Sequence, residues 1–310
     1  MAPEPFEFTR DVSNATGVAI QADNLTILQN LPDECVDLIY VDPPFNTGKR
    51  QALSRIATVL DNEAGDRTGF QGKRYRTVQL GRQSYVDIFD DYLDFLAPRV
   101  AEFRRVLKPT GTLYFHIDYR EVHYCKILLD SVFGRDSFLN EIIWAYDYGA
   151  RTTKKWPPKH DNILVFAKDP ERYYFDAEAV ERIPYMAPGL VGPDKAARGK
   201  LPTDTWWHTI VPTNGSERTG YPTQKPLGIV RRILQASSPP GGLVADFFAG
   251  SGTAGAAAYE LGRRFLLVDS NPEALEVMAR RFVSYDGMKY VGFTPAVEQA
   301  IQPSLVSAPS

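Results

Sequence analysis

The stretch Leu243-Val-Ala-Asp-Phe-Phe-Ala-Gly-Ser-Gly-Thr-Ala-Gly255 joins an apolar run to a glycine-rich turn and then to a helical pattern. Gly250, Gly252 and Gly255 fit the spacing G-x-G-x-x-G, and Asp269 ends the next apolar run. Glycines in such a turn let the backbone approach a nucleotide, and an acid after the next strand can bind ribose hydroxyls. The stretch predicts a nucleotide-binding unit of an α/β fold. By itself it does not distinguish NAD, FAD and S-adenosylmethionine.

On both sides of this stretch, strand and helix patterns alternate. The alternation predicts a Rossmann-like, doubly wound and mostly parallel sheet with helices on both faces. The predicted strands lie at 18–22, 36–41, 112–117, 141–146, 162–166, 243–247 and 264–268. The predicted helices lie at 84–107, 120–132 and 226–236, from the glycine-rich turn to about 261, and from 272 onward.

Three segments interrupt the alternation. Residues 46–83 show little periodicity and contain several glycines, which is typical of a functional or disordered loop. Residues 169–222 are rich in Pro, Gly, Tyr and Trp and predict an insert, not a second α/β domain. The residues after about 288 are polar and contain Pro and Ser, so we expect a C-terminal tail there.

The composition excludes several classes of protein. Hydrophobic residues make up 44% of the 310 residues and charged residues 24%, so the chain can build a core and is not disordered. No apolar run approaches the roughly 20 residues of a membrane span, and the N-terminus lacks an apolar signal region. With only Cys35 and Cys125, no disulfide framework is expected, and we expect a cytoplasmic protein.

Metal and nucleophile chemistry have little support in the sequence. The four histidines are scattered without H-x-x-x-H or C-x-x-C partners, so we expect no metal site. His116 lies in an apolar strand and is expected to be a satisfied core residue. There is no G-x-S-x-G elbow, and Cys35 has no local signature of a catalytic thiol.

The charge distribution favours a polyanionic partner more than the net charge does. The chain carries a formal charge of −3. However, residues 46–83 contain eight basic residues against three acidic ones, and residues 151–159 contain four basic residues and no acid. Local charge decides binding to nucleic acid more than the total does. A solvated surface remains the alternative for both segments.

The second motif, Asp42-Pro43-Pro44-Phe45-Asn46, follows the buried strand 36–41. Ligands of open α/β sheets bind at that edge, and two prolines stiffen the loop while leaving their carbonyls free as acceptors. A carboxylate, a rigid carbonyl and an aromatic ring on one loop suit an amino group on a flat ring. The third motif, Tyr221-Pro-Thr-Gln-Lys-Pro226, precedes a helix and is uninformative alone.

Together the three motifs resemble those of the amino-group DNA methyltransferases, which use S-adenosylmethionine. The family's [DNS]-P-P-[YF] motif stands as Asp42–Phe45, its T-x-K-P box as Thr223–Pro226 and its F-x-G-x-G motif as Phe248–Gly252. Residues 140–144 and 159–163 also look like family segments. The order of the motifs resembles the circularly permuted β-group, and the resemblance covers about residues 18–285.

The resemblance implies roles for individual residues. Gly250 and Gly252 would line the methionine part of the cofactor and Phe248 its adenine or sulfonium side. Asp269 would bind the ribose and Asp23 the adenine amino group. The implied cofactor-binding set is Asp23, Asn24, Thr223, Lys225, Asp246, Phe248, Ala249, Gly250, Gly252, Thr253, Asp269 and Ser270, with Thr223 and Lys225 at the methionine end.

The implied reaction is methylation of an exocyclic amino group of a base flipped out of duplex DNA. Asp42, Pro43, Pro44 and Phe45 would form the catalytic loop, with Phe45 stacked on the base. The residues implied to contact DNA are Asn46, Lys49, Arg50, Arg151, Lys154, Lys155, Lys159 and Arg218. Trp206, Trp207 and Arg218 could equally pack against protein, and packing is the commoner fate of tryptophan.

The same resemblance divides the chain into functional segments. Residues 1–168 would be the catalytic half, with 46–83 as a mobile DNA-contacting loop, and 169–220 the target-recognition insert. Residues 221–288 would be the cofactor-binding half and 289–310 a tail. A cognate restriction endonuclease and a homodimer are possible partners, no membrane partner is expected, and the nucleoid is the implied location.

Three alternatives stay open at this point. Aspartate followed by P-P-F-N leans towards adenine N6, but some cytosine-N4 enzymes also carry aspartate. A nicotinamide-dependent oxidoreductase would use the glycines and Asp269, but would leave the other two motifs unexplained. A non-catalytic DNA-binding protein would not need the intact Asp42 and glycines.

Overall fold

The structure is a computed structural model that describes residues 6–45, 49–60, 67–68, 74–87, 92–147, 152–212 and 214–295, with 49–60, 67–68 and 74–87 described by their backbone. The strands are β1 Gly17–Gln21, β2 Val36–Val41, β3 Lys49–Leu60, β4 Arg67–Thr68, β5 Arg74–Asp87, β6 Leu107–Asp118, β7 Phe138–Ala145, β8 His160–Ala167, β9 Thr205–Trp207, β10 Leu243–Asp246, β11 Arg264–Asp269 and β12 Met288–Val291. The helices are α1 Phe8–Val12, α2 Asn24–Gln29, α3 Tyr92–Val106, α4 Val122–Phe133, α5 Pro193–Arg198, α6 Leu227–Ser237, α7 Thr253–Glu260 and α8 Pro272–Arg281.

Nine strands form one mixed sheet in the order β12-β1-β11-β10-β2-β6-β8-β7-β9. The six strands from β12 to β6 pair in parallel, whereas β8 runs antiparallel to both β6 and β7. The chain winds outward in opposite directions from β10 and β2, which makes their junction the topological switch point of the sheet. The predicted doubly wound α/β fold is confirmed.

The sheet is covered on both faces, and β2 shows how the sequence reflects this. All six residues of β2 are buried. Ile39 and Val41 belong to a core cluster that includes α2, α3 and α4, whereas Leu38 and Tyr40 belong to a second cluster that includes α6, α7 and α8. A strand buried on both faces is mostly apolar instead of alternating, and the exception in β2 is Asp37, which pairs with Lys108 at 2.8 Å.

The prediction that 46–83 lacks regular structure is wrong for the residues that the structure describes. β3 and β5 form an antiparallel ribbon from Lys49 opposite Asp87 to Leu60 opposite Tyr75, with a register shift after Arg55. With β4 the ribbon forms a separate three-stranded sheet. Its strands pair with each other and not with the main sheet. The helix predicted from 84 is also wrong at its start, because β5 continues to Asp87 and α3 is described from Tyr92.

Two segments that were predicted outside the sheet, the insert and the tail, each supply a short edge strand. The insert 169–220 supplies β9, which pairs in parallel with β7 at one edge of the main sheet. The tail begins later than 289, because β12 pairs in parallel with β1 at the opposite edge. Both are short edge strands of three and four residues. An edge strand has one neighbour and weak burial, so neither leaves a strong sequence pattern.

Candidate active site

The catalytic loop and the glycine-rich turn meet at the switch point of the sheet. Asp42-Pro-Pro-Phe45 follows β2, the glycine-rich turn follows β10, and β2 and β10 are parallel neighbours. Their carboxyl ends therefore lie side by side, which is where open α/β sheets bind ligands. A cavity of about 370 Å³ opens there, and we call it the first cavity.

The structure brings nearly all the predicted cofactor residues to the first cavity. Those that line it are Asp23, Asn24, Thr223, Lys225, Asp246, Phe248, Ala249, Gly250, Thr253, Asp269 and Ser270, together with Asp42, Pro43, Pro44 and Phe45. Gly252 does not line it. Gly252 has φ +73°, and a Cβ there would lie 2.7 Å from Phe282 and 2.8 Å from Met278, so this glycine serves the turn itself.

Asp269 fixes the shape of the glycine-rich turn. Its Oδ2 accepts the backbone N–H of Gly250 at 2.8 Å and its Oδ1 accepts that of Asn271 at 2.8 Å. Gly250 has φ +48°, and a Cβ there would lie 3.0 Å from the ring of Tyr221. The carboxylate is thus held by backbone donors at the lining of the cavity.

The pKa values of two carboxyl groups in the first cavity are raised. Burial raises the pKa of Asp246 well above its ordinary value, and the nearby carboxylates of Asp42 and Asp269 add to the shift. Burial also raises the pKa of Asp269, against the two backbone N–H groups that it accepts. These acids suit hydroxyl, ammonium or sulfonium groups better than they suit an anion.

Arg99 is a cavity residue that sequence reasoning missed. Its guanidinium donates to Asn24 Oδ1 at 2.6 Å, to Asp23 Oδ2 at 2.9 Å and to the Phe95 carbonyl at 2.7 Å. Asn24 Nδ2 in turn donates to the Phe247 carbonyl at 2.7 Å. Arg99 therefore ties α3 and the start of α2 to the glycine-rich turn. The sequence did offer one signal. Arg99 is a charged residue on the apolar side of an amphipathic helix, beside Leu96 and Val100.

Lys225 lies against the catalytic loop. Its Nζ is 2.5 Å from Asp42 Oδ2 and 4.6 Å from the centroid of the Phe45 ring. The other oxygen, Asp42 Oδ1, is buried and has no hydrogen-bond partner among the described residues. An unpartnered buried acceptor beside an aromatic ring is a place where an amino group gains a hydrogen bond.

A second cavity of about 410 Å³ adjoins the first. The residues that line both are Phe45, Tyr221, Thr223, Gln224 and Lys225, so they form the wall between the cavities. Thr223 has φ +62°, a conformation that non-glycine residues rarely adopt and that often marks a functional site. Aromatic rings from β7 and from its C-terminal end, Trp144 and Tyr146, also line the second cavity.

A buried polar chain leads from β2 to the second cavity. The Tyr40 hydroxyl lies 2.9 Å from His116 Nδ1, and His116 Nε2 lies 3.1 Å from Asp161 Oδ2. The Tyr146 hydroxyl donates to Asp161 Oδ1 at 3.0 Å. His116 is fully buried and both of its ring nitrogens have partners, which confirms the prediction of a satisfied core histidine.

The residues predicted to contact DNA are placed only in part. Lys154 and Lys155 are exposed beside Trp156, which is 94% exposed, and Lys159 is half-buried. Pro158, His160 and Arg218 line the second cavity, so this basic run leads to its mouth. Asn46 and Arg151 lie outside the described residues, and Lys49 and Arg50 are described by their backbone.

The two adjacent tryptophans of β9 differ. Trp206 is buried in the core and its Nε1 donates to the Thr203 carbonyl at 2.7 Å, so the packing alternative holds for this residue. Trp207 is 76% exposed. Successive residues of a strand point to opposite faces, which explains the contrast.

The described part of the chain offers no site for a metal ion or for a nucleophilic cysteine. No group of three His, Cys, Asp or Glu side chains there could hold a metal ion. Both cysteines are free, and burial raises the pKa of Cys35 to about 11 and of Cys125 to about 12, so both are poor nucleophiles. No helix within the described ranges is long and apolar enough to cross a membrane.

The fold and the paired cavities define a class I methyltransferase in which the catalytic strand precedes the cofactor strand. The family model of the amino-group (N6 and N4) enzymes, described as DNA methylase, matches residues 36–280. The chain belongs to this family: it is an amino-group DNA methyltransferase that uses S-adenosylmethionine. Membership excludes the nicotinamide oxidoreductase considered above.

Individual relatives agree with this assignment. The chain is 31% identical to the type II methyltransferase M.HpaI of Haemophilus parainfluenzae, over 86% of this chain and 74% of the relative. It is 30% identical to the DNA adenine methyltransferase YhdJ of Escherichia coli K12, over 90% and 85% of the two chains.

Two solved structures share the fold. The cytosine-N4-specific PvuII DNA methyltransferase matches with a TM-score of 0.60 and 16% identity, over 89% of this chain and 91% of that one. The complex of M1.HpyAVI with S-adenosylmethionine matches with a TM-score of 0.55 and 19% identity, over 86% and 98% of the two chains.

Proposed function

We propose that this enzyme methylates the N6 amino group of adenine in duplex DNA. The aspartate of Asp42-Pro-Pro-Phe45 carries the proposal, and the similarity to an adenine methyltransferase along 90% of the chain supports it. The same arrangement would serve cytosine N4, which remains the second candidate. The likeness to the cytosine-N4 enzyme, at 16% identity, concerns the fold alone.

The first cavity fits S-adenosylmethionine by volume and by its set of donors and acceptors. About 370 Å³ lies within the usual range for small-molecule sites. We assign the ribose hydroxyls to Asp269, the adenine amino group to Asp23 and the methionine end to the loop of Gly250 and Thr223. The acids of the cavity complement the positive charges of the cofactor, which supplies a methyl group activated by its sulfonium.

The second cavity would receive the flipped base. Phe45, which lines both cavities, would stack on it at the boundary with the first cavity. In this position the exocyclic amine would reach Asp42 Oδ1, which has no other partner in the described structure. The Pro43 carbonyl would accept the second amine hydrogen.

Asp42 would make the amine a better nucleophile. An exocyclic amine is conjugated with its ring, and two acceptors on its hydrogens localise the lone pair on nitrogen. Methyl transfer would leave the amino nitrogen with one proton too many, and Asp42 Oδ1 would accept that proton. Lys225 holds the opposite carboxylate oxygen at 2.5 Å and so fixes the direction of the free one. Positioning and electrostatics would supply most of the acceleration.

DNA would lie across the mouth of the second cavity. Lys154 and Lys155 are exposed next to cavity-lining residues, and they would bind phosphates together with Arg218. Within this proposal the ribbon after Phe45 belongs to the DNA-contacting part of the catalytic half, and the insert 169–220 recognises the target sequence.

Further partners remain part of this proposal. The name of M.HpaI, a type II methyltransferase, supports a cognate restriction endonuclease. A homodimer and an association with the nucleoid would both suit an enzyme that acts on DNA.

Product identification tests the proposal. The purified protein is incubated with methyl-labelled S-adenosylmethionine and unmethylated mixed-sequence duplex DNA, and the nucleosides are analysed by mass spectrometry. Labelled N6-methyladenine is expected. Labelled N4-methylcytosine would change the target base but keep the site, and label on neither base in DNA would contradict the proposal.

A further inference from the structure

Trp156 is a large aromatic side chain beside the mouth of the second cavity. It is 94% exposed, the highest value among the aromatic residues that the structure describes. It precedes Pro158, a lining residue of the second cavity, by two positions, so the Cα atoms of the two residues lie within about 7 Å of each other. The indole ring therefore stands on the surface next to the cavity that receives the flipped base in the proposed function.

The neighbouring chain presents this ring to an outside partner. Pro157 and Pro158 follow the tryptophan, and they stiffen the backbone because each fixes its own φ and disfavours helical backbone at the residue before it. Trp156 makes no hydrogen bond or ring contact with any other described residue. A tryptophan contributes a large area to an interface once a partner covers it. The ring is thus held in place by the loop but is left uncovered.

The charges around the ring indicate which partner covers it. Lys154 and Lys155 are exposed directly before the tryptophan, and Lys159 follows it. Residues 152–159 contain no acidic side chain. The lysines suit the phosphates of a nucleic acid, whereas a flat aromatic ring suits the face of a base. Cations and an exposed indole on one short loop therefore favour DNA whose bases can be reached.

Base flipping exposes such faces at this position. When the target base rotates out of the duplex, it leaves a gap in the stack, and the lost stacking costs free energy. The base stays attached to its strand, so the gap lies close to the mouth of the cavity that holds the base. Proteins that deform DNA insert apolar side chains between neighbouring bases, where the side chain replaces part of the lost stacking.

We propose that Trp156 inserts its indole ring into the duplex and fills the gap that the flipped base leaves. Phe45 stacks on the flipped base inside the second cavity, and Trp156 takes the place of that base in the stack outside it. This role rests on the proposed function, because it requires a base of duplex DNA to enter the second cavity. It is the same for an adenine and for a cytosine target.

The test uses the full-length protein and counts methyl label transferred to unmethylated, PCR-amplified duplex DNA of mixed sequence. In single turnover at saturating DNA, Trp156→Ala should lower the methyl-transfer rate about 5- to 100-fold, as expected for the loss of one stacking contact. Trp156→Phe keeps an aromatic ring and should recover most of the rate. Tyr124→Ala is the matched control, because Tyr124 is 59% exposed on α4 but lines neither cavity. It should leave the rate unchanged.

Two further measurements separate insertion from phosphate binding. The methylated sites are mapped by sequencing that detects methylated bases, and a duplex is made with a fluorescent analogue at the target position, 2-aminopurine for adenine or pyrrolocytosine for cytosine. With saturating protein, Trp156→Ala should give a smaller gain in fluorescence than the unaltered enzyme, because less of the base is flipped. The slope of log K for DNA binding against log salt should stay the same, because no phosphate contact is lost.

An unchanged rate or a full gain in fluorescence in Trp156→Ala would overturn the proposal. So would a reduced salt slope in that variant, an equal rate loss in Tyr124→Ala, or a loss in Trp156→Phe as large as that in Trp156→Ala. Absence of methyl transfer by the unaltered enzyme would instead contradict the proposed function itself.

Discussion

The two cavities share a wall but are built in different ways. The first is formed largely by four short stretches at the ends of parallel strands, Ala22–Asn24, Asp42–Phe45, Asp246–Ser251 and Asp269–Asn271. The second gathers residues from β6, β7, β8 and the segment 210–225, and its longest continuous run is Tyr221–Lys225. A loop set by prolines and glycines imposes its geometry through the backbone, whereas a wall of scattered side chains depends on strands that are distant in sequence. The first kind of site can be predicted from sequence, and the second requires the fold.

The sharpest test of this comparison removes the carboxylate of Asp42, which lies close to the boundary between the two cavities. Asp42→Ala should lower methyl transfer by about 10³-fold or more, because the only acceptor side chain assigned to the amine is lost. Cofactor binding, measured by calorimetry, should change little if the first cavity acts independently. Turnover close to that of the unaltered enzyme would contradict the assignment of Asp42.

A substitution at the far side of the first cavity should affect only cofactor binding. Arg99→Met removes the guanidinium that joins Asp23, Asn24 and α3, and should weaken S-adenosylmethionine binding about tenfold. The rate at saturating cofactor should stay close to that of the unaltered enzyme. Titration calorimetry and single-turnover kinetics separate the two quantities.

Arg105→Met supplies the control for that change. Arg105 lies on the same helix, and its guanidinium contacts Glu102 and Asp33 away from both cavities. The Arg105→Met variant should have a lower free energy of unfolding than the unaltered protein but the same affinity for S-adenosylmethionine. Equal losses of affinity in the two variants would show that Arg99 acts through the stability of α3 alone.

The carboxyl group of Asp246 in the first cavity should make the free energy of unfolding depend on pH. The pKa of Asp246 is raised in the folded state by burial, so the unfolded chain releases this proton more readily. The free energy of unfolding should therefore fall as the pH rises above about 4 through the folded-state pKa. Asp246→Asn should be more stable than the unaltered protein at pH 8, and the difference should shrink towards pH 4.

Urea unfolding without cofactor at the two pH values measures this difference. Asp130→Asn is the comparison variant, because Asp130 pairs with Lys126 on the surface of α4 and should give no gain at pH 8. A gain at pH 8 that is the same at pH 4 would contradict the charge argument.

The smallest expected effect concerns the mouth of the second cavity. Replacing Lys154 and Lys155 by Gln should reduce the slope of log K for DNA binding against log salt by about 1 to 2. Lys289→Gln, on β12 at the opposite edge of the sheet from β9, should leave the slope unchanged. Fluorescence anisotropy over a salt series measures both. An unaltered slope in the first variant would make residues 152–159 an ordinary solvated surface.

Sequence reasoning predicted the strands of the switch point and 15 of the 24 residues that line the first cavity, because most of those 15 lie in short motifs at the ends of strands. It assigned Lys225 to the methionine end, but the structure also pairs it with Asp42, from which it is separated by most of the chain. It missed Arg99 because a helix pattern alone does not show which buried arginine reaches a ligand cavity. It gave His116 as a core residue, and the structure adds that this core residue supports Asp161.

The prediction of a loop at residues 46–83, where the ribbon of β3 and β5 lies, was wrong for a different reason. The ribbon's strands pair with each other and not with the main sheet, so the alternation of strands and helices along the chain does not predict them. The same applies to β9 and β12 at the sheet edges, where one neighbour and partial burial leave a weak pattern. Elements of this kind become visible only through their pairing.

The order of strands also bears on how the chain is made. β1 emerges from the ribosome long before its partners in the sheet, β11 and β12, which follow it by more than 200 residues. β2 likewise lacks one of its two neighbours until β10 has been translated. Such late, long-range pairing is slow and leaves strand edges uncovered in the meantime. The growing chain therefore carries an unfinished sheet until β11 and β12 have been translated, and during that period its open strand edges are exposed to chaperones.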